Sequence, residues 1–427
     1  MAGGETRDLP PLVQQRRPAS LMTAAAPSPP ADTARSDSKA LYVLLAVVFV
    51  NIAGFGVIIP LLPFYAKSFG APDWQVFVLF AAYSVGNFFA EPLWGRLSDR
   101  IGRRPVLIIT IFGNALTYVM LAFAPNLWVA CLIRLTGGVL TGNISTIQGY
   151  MADVTPPDRR AGRLGLMGAA FSLGFMTGPS IGGLMARADL GTVGFRPPLF
   201  FAAALALAAG IGITLFVRET RHGHRDAPQR GRLEGLGDAM AHPVIWRTLL
   251  VTLISMAGFA GMEATFGLWA HAKFDWGPKQ IGFCFFAIAI TATFAQGLLT
   301  GYLARRIGET TTMMIGLALI FAGFALQPFV DAWPLAVLGM VTVALGQSLA
   351  FPNIGAIISK SSSPERQGEM MGLNTAAGAL ARIIGPLMAA PLFMNFGPSA
   401  PFAVAAGLCL PALFMAWQVS KAVRRSA

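Results

Sequence analysis

The sequence predicts an all-α membrane protein, with twelve transmembrane helices in two pseudo-symmetric six-helix bundles. Three observations carry this. Of the 427 residues, 55% are hydrophobic and only 12% charged, about half the charge of a soluble domain. Such a chain fits a surface that faces lipid, where charge is costly. Beyond residue 40, apolar runs long enough to span a bilayer alternate with short polar breaks. Finally, the two halves repeat each other at a nearly fixed offset.

Residues 1–40 are rich in Pro, Ala and Arg and lack the apolar stretch of a signal peptide. They read as a disordered cytoplasmic tail, within which Met22 is an alternative start. The first bundle is expected over 41–218, with helices at 41–66, 75–98, 104–124, 127–152, 161–187 and 198–218. A charged cytoplasmic linker, 219–244, follows. The second bundle, 245–422, has helices at 245–272, 278–304, 310–330, 333–358, 366–395 and 399–422. A short cytoplasmic tail, 423–427, ends the chain.

Of the 32 Lys and Arg, 25 fall in the tails and the even-numbered loops and five in the odd-numbered loops. Positive loops stay in the cytoplasm, so both termini are expected there. The net charge of +12 is then a topology signal and not a nucleic-acid footprint. Cys131, Cys284 and Cys409 lie far apart in apolar segments, spaced neither as zinc ligands nor as a disulfide framework. No metal or cofactor is expected. Trp74, Trp128 and Trp333, near helix ends, read as interfacial anchors.

The internal repeat is specific. Gly95-Arg-Leu-Ser-Asp99-Arg100-Ile-Gly102 returns as Gly301-Tyr-Leu-Ala-Arg305-Arg306-Ile-Gly308, 206 residues on. Pro157-Asp158-Arg159 returns as Pro364-Glu365-Arg366, and Gly178-Pro179 as Gly385-Pro386, both 207 on. Two halves of this kind are a recurring plan among secondary transporters, which rock one half against the other around a central substrate.

The loop after helix 2, Gly95 to Arg104, resembles the signature loop of the major facilitator superfamily. Its glycines permit a tight turn and close helix approach. Asp99 is placed to meet a helix N-terminus or an arginine, and Arg103 and Arg104 can reach Asp153. The resemblance implies a conformational latch made of Gly95, Asp99, Arg100, Gly102, Arg103, Arg104 and Asp153, holding the outward-open state. Helix 5 carries Gly165, Gly174, Gly178-Pro179 and Gly182-Gly183. Bare glycine spacing in a membrane helix means close packing. The full pattern is similar to the motif of the drug:proton antiporter branch, where it lines the contact between halves. Asn51 to Pro63 and Tyr150 to Pro157 resemble helices 1 and 4 of bacterial tetracycline efflux pumps. Leu132-Ile-Arg134-Leu-Thr-Gly137-Gly138 is similar to the family's helix 4 arginine motif. The acids of those pumps in helices 1, 3 and 9 are replaced by Asn51, Thr117 and an acid-free stretch at Leu317–Gly323. That departure counts against tetracycline itself as the substrate.

A proton-coupled carrier needs a titratable group inside the membrane. Glu91 and Glu263 are the acids well inside apolar segments, and Arg134 and Arg382 the bases. Glu263, assisted electrostatically by Arg134, is the expected main proton carrier, with Glu91 secondary. For Glu91 a structural hydrogen bond near the signature loop is an open alternative, and for Arg382 a helix–helix contact. His271, at the outer end of helix 7, reads as structural. A cavity for amphiphilic compounds needs apolar walls and a few polar groups; Asn51, Tyr83, Asn87, Gln148, Trp269, Gln347, Asn374 and Arg382 are the candidates. No ATP-binding or hydrolase motif occurs, and no enzyme is expected. The expected function is proton-driven export of small amphiphilic or drug-like compounds by alternating access, by a monomer in the inner membrane of a bacterium. Its partners are the small-molecule substrate, protons and the lipid bilayer. A carrier of one metabolite and a non-transporting receptor or scaffold are the alternatives.

Overall fold

The computed structural model describes residues 31–155, 160–220, 232–363 and 366–426. The described residues form helices joined by short turns, without strand. Twelve helices are named here. In the first half they are α1 (Leu41–Lys67), α2 (Asp73–Ile101), α3 (Arg103–Ala122), α4 (Leu127–Met151), α5 (Arg160–Met185) and α6 (Arg196–Phe216). In the second half they are α7 (Pro243–Phe274), α8 (Pro278–Ile307), α9 (Glu309–Leu326), α10 (Trp333–Lys360), α11 (Gln367–Phe396) and α12 (Ala400–Ser426). Among the described residues 11 spans are long and apolar enough to cross a membrane. The 26-residue α5 supplies the remaining crossing, since its two charges, Arg160 and Arg163, lie at one end. Large apolar side chains such as Phe89, Leu298 and Phe396 point outward, where a bilayer would cover them.

Helix pairing explains how the chain closes. In the first half α1 packs on α5 and α6, α2 on α4, and α3 on α4 and α6. The second half repeats each pair six helices later: α7 on α11 and α12, α8 on α10, α9 on α10 and α12. Small residues make the crossings possible, because lipid gives no hydrophobic drive and packing needs close backbones. At the α9–α10 crossing a side chain on Gly316 would stand 2.6 Å from the Gly346 carbonyl. The halves touch through α2–α11 and α5–α8, a pair that the same pseudo-symmetry interchanges.

Several local features depart from the sequence expectation. The first helix starts at Ala31, ten residues into the expected tail; residues 1–30 lie outside the described ones. The linker contains a helix, Arg232–Ala241, tied to the second half by Asp238 and Arg366 at 2.6 Å. Residues 221–231, 156–159 and 364–365 lie outside the described ones. The expected fourth helix breaks at Gly142–Asn143, and α8 contains a π-helical turn at Ala295–Leu299.

Candidate functional site

The start of α1, the end of α12 and the α2–α3 and α8–α9 turns share one end of the bundle, called here the terminal end. At the opposite end the two halves are closed against each other. Gly267 of α7 lies against Pro63 of α1, and Phe64 meets His271 edge-on at 5.8 Å. Phe77 of α2 meets Phe393 of α11 at 5.9 Å, and Gly183 of α5 lies against Gly282 of α8. At the terminal end the halves part, leaving a cavity of about 650 Å³ between α2, α4 and α11. Glu91, Gly95, Arg96, Asp99, Arg103 and Gln148 make its polar wall, and Gly372, Thr375, Ala376 and Ala379 the facing wall of small residues.

Beyond the residues that line the cavity stand the charges within the spans. Arg382 follows Ala379 by one turn of α11, half-buried. Glu263 of α7 is buried, and its Oε1 has no hydrogen-bond partner. Arg382 stands on the helix that α7 packs against, where Gly385 lies against Gly261, whereas Arg134 stands on α4 of the first half. Arg134 is 4% exposed and stacks under two rings of the first half. Its guanidinium carbon lies 4.5 Å from the Tyr83 ring centre and 5.9 Å from Phe55, within the cation–π range. Phe55 and Tyr83 stack at 4.8 Å.

Local sequence explains this placement. Asn126 caps α4, accepting the Val129 N–H at 2.9 Å, which fixes where the helix starts. Gly86 of α2 lies against the Leu135 carbonyl, and Gly138 of α4 against the Tyr83 carbonyl. With the backbones in contact there, the Tyr83 ring lies over Arg134. The Tyr83 and Thr141 hydroxyls then bond at 2.7 Å. Directly after Thr141, Gly142–Asn143 interrupts α4, and the Val139 carbonyl accepts from Trp94 Nε1 at 2.6 Å. Asn143 accepts from Asn51 at 3.1 Å and donates to Thr110 at 2.9 Å, so Asn51 faces the interior of the first half and not the cavity.

The other cavity candidates scatter. Gln148 lines the 650 Å³ cavity, and Glu91 lines it while its carbonyl accepts from Ser145 at 3.2 Å. Asn374 accepts from Thr252 at 2.7 Å. Trp269 is fully buried, packs against Phe266, Phe274 and Phe402, and donates to Ser399 at 3.0 Å. That places it in the core of the second half near the opposite end. Asn87 is half-buried, and Gln347 has a buried Nε2 without partner.

At the α2–α3 turn the charges of the signature loop converge. Arg103 pairs with Asp99 at 2.8 Å and Asp153 at 3.4 Å, and donates to Ser98 at 2.7 Å. Arg104 turns away and donates to the Thr214 carbonyl at 2.7 Å, while Arg100 is exposed. Gly102 takes φ +105° and leaves no room for a side chain, because the Glu219 carboxylate occupies that space. That carboxylate accepts the N–H groups of Arg103 at 2.9 Å and Arg104 at 3.0 Å, meeting the positive end of α3. Glu219 was missed in the sequence because it stands 116 residues from Arg103 and in no motif with it. On α5, Gly174, Gly178 and Gly182 pack against α1 within the same half, and Gly183 alone of these reaches α8 across the halves. Pro179 packs with them against Gly56; the surroundings of Gly165 lie outside the described ones.

A helical chain whose halves pair alike and meet through α2–α11 and α5–α8 can be matched with known proteins. The Major Facilitator Superfamily model matches residues 44–308 and 265–426. The chain belongs to the major facilitator superfamily. This transporter is 29% identical over 372 residues to a class E tetracycline resistance protein of Escherichia coli, covering 83% of this chain and 88% of that one. It is 28% identical over 369 residues to multidrug resistance protein 2 of Bacillus subtilis, covering 84% and 90%. Among solved structures, the human organic anion transporter MFSD10 (TETRAN) superposes with a TM-score of 0.68 at 26% identity, covering 91% of this chain and all of that one.

Proposed function

We propose that this transporter exports small amphiphilic compounds in exchange for protons, as a monomer in a bacterial inner membrane with both termini in the cytoplasm. The terminal end carries most of the Lys and Arg, so by the positive-inside rule it faces the cytoplasm. The structure is then the inward-open state: the cavity of about 650 Å³ opens to the cytoplasm and the opposite end is shut. Similarity to tetracycline and multidrug resistance proteins supports export as the direction.

The observation that carries the coupling is Glu263. A buried carboxyl group in a membrane helix, with an oxygen lacking a hydrogen-bond partner, is costly unless it has a task. It takes and releases a proton as the halves rock, with Arg382 as its electrostatic partner. Glu91, at the cavity wall, is the secondary carrier. The test is proton-gradient-driven efflux from proteoliposomes. Glu263→Gln cannot titrate, so efflux against a gradient should vanish while substrate binding survives. Full activity of both Glu263→Gln and Glu91→Gln would overturn carboxylate coupling at these sites.

A further inference from the structure

The last turns of α12 carry a charged and aromatic stripe that the transport reading does not use. One face of this helix is buried against α7 and α9, with Ala405, Cys409, Ala412, Ala416 and Val419 along it. The opposite face presents Leu410, Phe414, Trp417, Lys421, Arg424 and Arg425, all exposed, at the three- and four-residue spacing of one helical stripe. Along it the order is apolar, aromatic, basic, which follows a bilayer from its hydrocarbon core to its headgroups. Phe414 and Trp417 stack at 5.9 Å, and the Lys421 ammonium lies 3.6 Å from the Trp417 ring centre. That contact holds the lysine charge at the depth of an interfacial ring. Lys421 stands three and four residues before Arg424 and Arg425, spacings at which like charges repel. The helix contains no acid, and none of the three cations has an acid partner among the described residues.

We infer that this stripe binds an anionic phospholipid in the leaflet at the terminal end, with the headgroup phosphate held by Lys421, Arg424 and Arg425. Phosphate oxygens accept charge-assisted hydrogen bonds from guanidinium and ammonium groups, and so relieve the repulsion among the three. The acyl chains then follow Trp417, Phe414 and Leu410 into the hydrocarbon. A zwitterionic lipid carries its own cation to the same place and gains less, so the site discriminates by headgroup charge. The end of α8 has a looser version: Phe294, Leu298 and Tyr302 are exposed, and Arg306 lies 5.3 Å from the Tyr302 ring centre. It offers two cations, Arg305 and Arg306, and serves as the internal control. The inference rests on the chain spanning a bilayer, and not on the substrate, the direction of transport or the coupling.

Fluorescence quenching in reconstituted bilayers tests it without any transport step. The full chain is placed in phosphatidylcholine containing a small fraction of brominated phosphatidylglycerol or, separately, of brominated phosphatidylcholine. The Trp417 signal is the difference between the wild type and Trp417→Phe. Brominated phosphatidylglycerol should associate at least about tenfold more tightly than brominated phosphatidylcholine, given three cations at the membrane surface. Lys421→Gln, Arg424→Gln and Arg425→Gln together should abolish that preference while quenching by brominated phosphatidylcholine persists, which shows that the helix still meets lipid. Lys421→Arg should keep the preference, and Arg305→Gln with Arg306→Gln should lower it less than about twofold. Equal association of the two lipids with the wild type would overturn the proposal, as would an undiminished preference in the triple variant. A loss on removing Arg305 and Arg306 as large as that in the triple variant would mark a diffuse surface potential and overturn the site. Displacement of brominated phosphatidylglycerol by millimolar inorganic phosphate at constant ionic strength would mark a soluble-anion site and overturn the lipid assignment. The readout involves neither substrate nor proton, so failure of the export reading leaves it in place.

Discussion

The α2–α3 turn and the α8–α9 turn occupy equivalent places in the two halves, yet their charges are opposite. Asp99, Arg103 and Asp153 correspond, 206 or 207 residues on, to Arg305, Glu309 and Lys360. Both turns pivot on a glycine with positive φ, Gly102 at +105° and Gly308 at +85°. There the likeness ends. The Arg103 side chain is 9% exposed and meets two acids and a serine. In the second half Lys360 reaches Glu309 at 2.7 Å while 71% exposed, and Arg305 points to solvent. The α8 segment before Arg305 contains a π-helical turn at Ala295–Leu299, with no counterpart in α2, which is α-helical throughout Asp73–Ile101. The same backbone frame thus supports a buried cluster at one junction and a surface pair at the other. The buried cluster is the better candidate for a latch, because burial is what makes a lost charge expensive.

The largest expected effect comes from breaking the buried cluster. Arg103→Gln leaves Asp99 and Asp153 facing one another without their cation, next to the Glu219 carboxylate. We expect a loss of about 2–3 kcal/mol in stability, read as earlier thermal unfolding of the purified protein, together with loss of transport. Asp99→Asn keeps the shape and leaves Arg103 paired with Asp153. It should therefore retain membrane abundance while severely reducing transport. Normal transport by Asp99→Asn would remove the latch role from the cluster and reduce it to a helix junction.

The next comparison is between two glycines of α5 that the sequence groups in one motif. Gly178 packs on α1 inside its own half, whereas Gly183 lies against Gly282 of the other half. Gly178→Leu would overpack a fixed crossing, at a cost of about 1–3 kcal/mol, and should lower abundance. Gly183→Leu should accumulate normally but keep the opposite end from closing. Cysteine labelling near Pro278 from that side would then increase. If both variants only fail to accumulate, the whole motif serves folding.

Much of this was legible in the sequence because it depends on period, composition and repeat. The twelve apolar runs mark the helices to within a few residues, apart from the ten-residue extension at the start of the first, and the fixed offset of Gly178-Pro179 and Gly385-Pro386 marks the two halves. The charges at the signature loop were likewise visible, since Asp99 and Arg103 lie one helical turn apart. What was not legible depends on three-dimensional contact. Nothing local distinguishes Gly178 from Gly183, one facing α1 and the other α8. Glu263 was singled out, but its partner depends on how α7 packs against α11, which brings in Arg382 and not Arg134. Phe55 and Glu219 carry no pattern at all; the first matters through stacking on Tyr83 and the second through the N-terminus of a distant helix. Gly142-Asn143 was the one missed feature with a local signal, since that dipeptide disfavours a continuous helix.

The smallest expected effect sharpens the comparison between junctions. Lys360→Met removes an exposed cation from a pair in which Glu309 is 24% exposed. Such pairs contribute about 0–1 kcal/mol, so unfolding temperature and transport should stay close to wild type. Exchanging the charges, Glu309→Lys with Lys360→Glu, should be equally mild, because solvent screens both arrangements alike. The same exchange in the first half, Arg103→Asp with Asp153→Arg, should fail. An acid at position 103 would stand beside Asp99 at the end of α2 and the Glu219 carboxylate at the start of α3, with the single introduced arginine left to neutralise all three. Paired measurements of thermal unfolding and transport on the two exchange variants separate burial from sign. If both exchanges are tolerated, attraction alone holds each turn and Glu219 is a minor cap. If the second-half exchange is as damaging as the first, the exposed pair has a role in the cycle that its geometry in this state does not display.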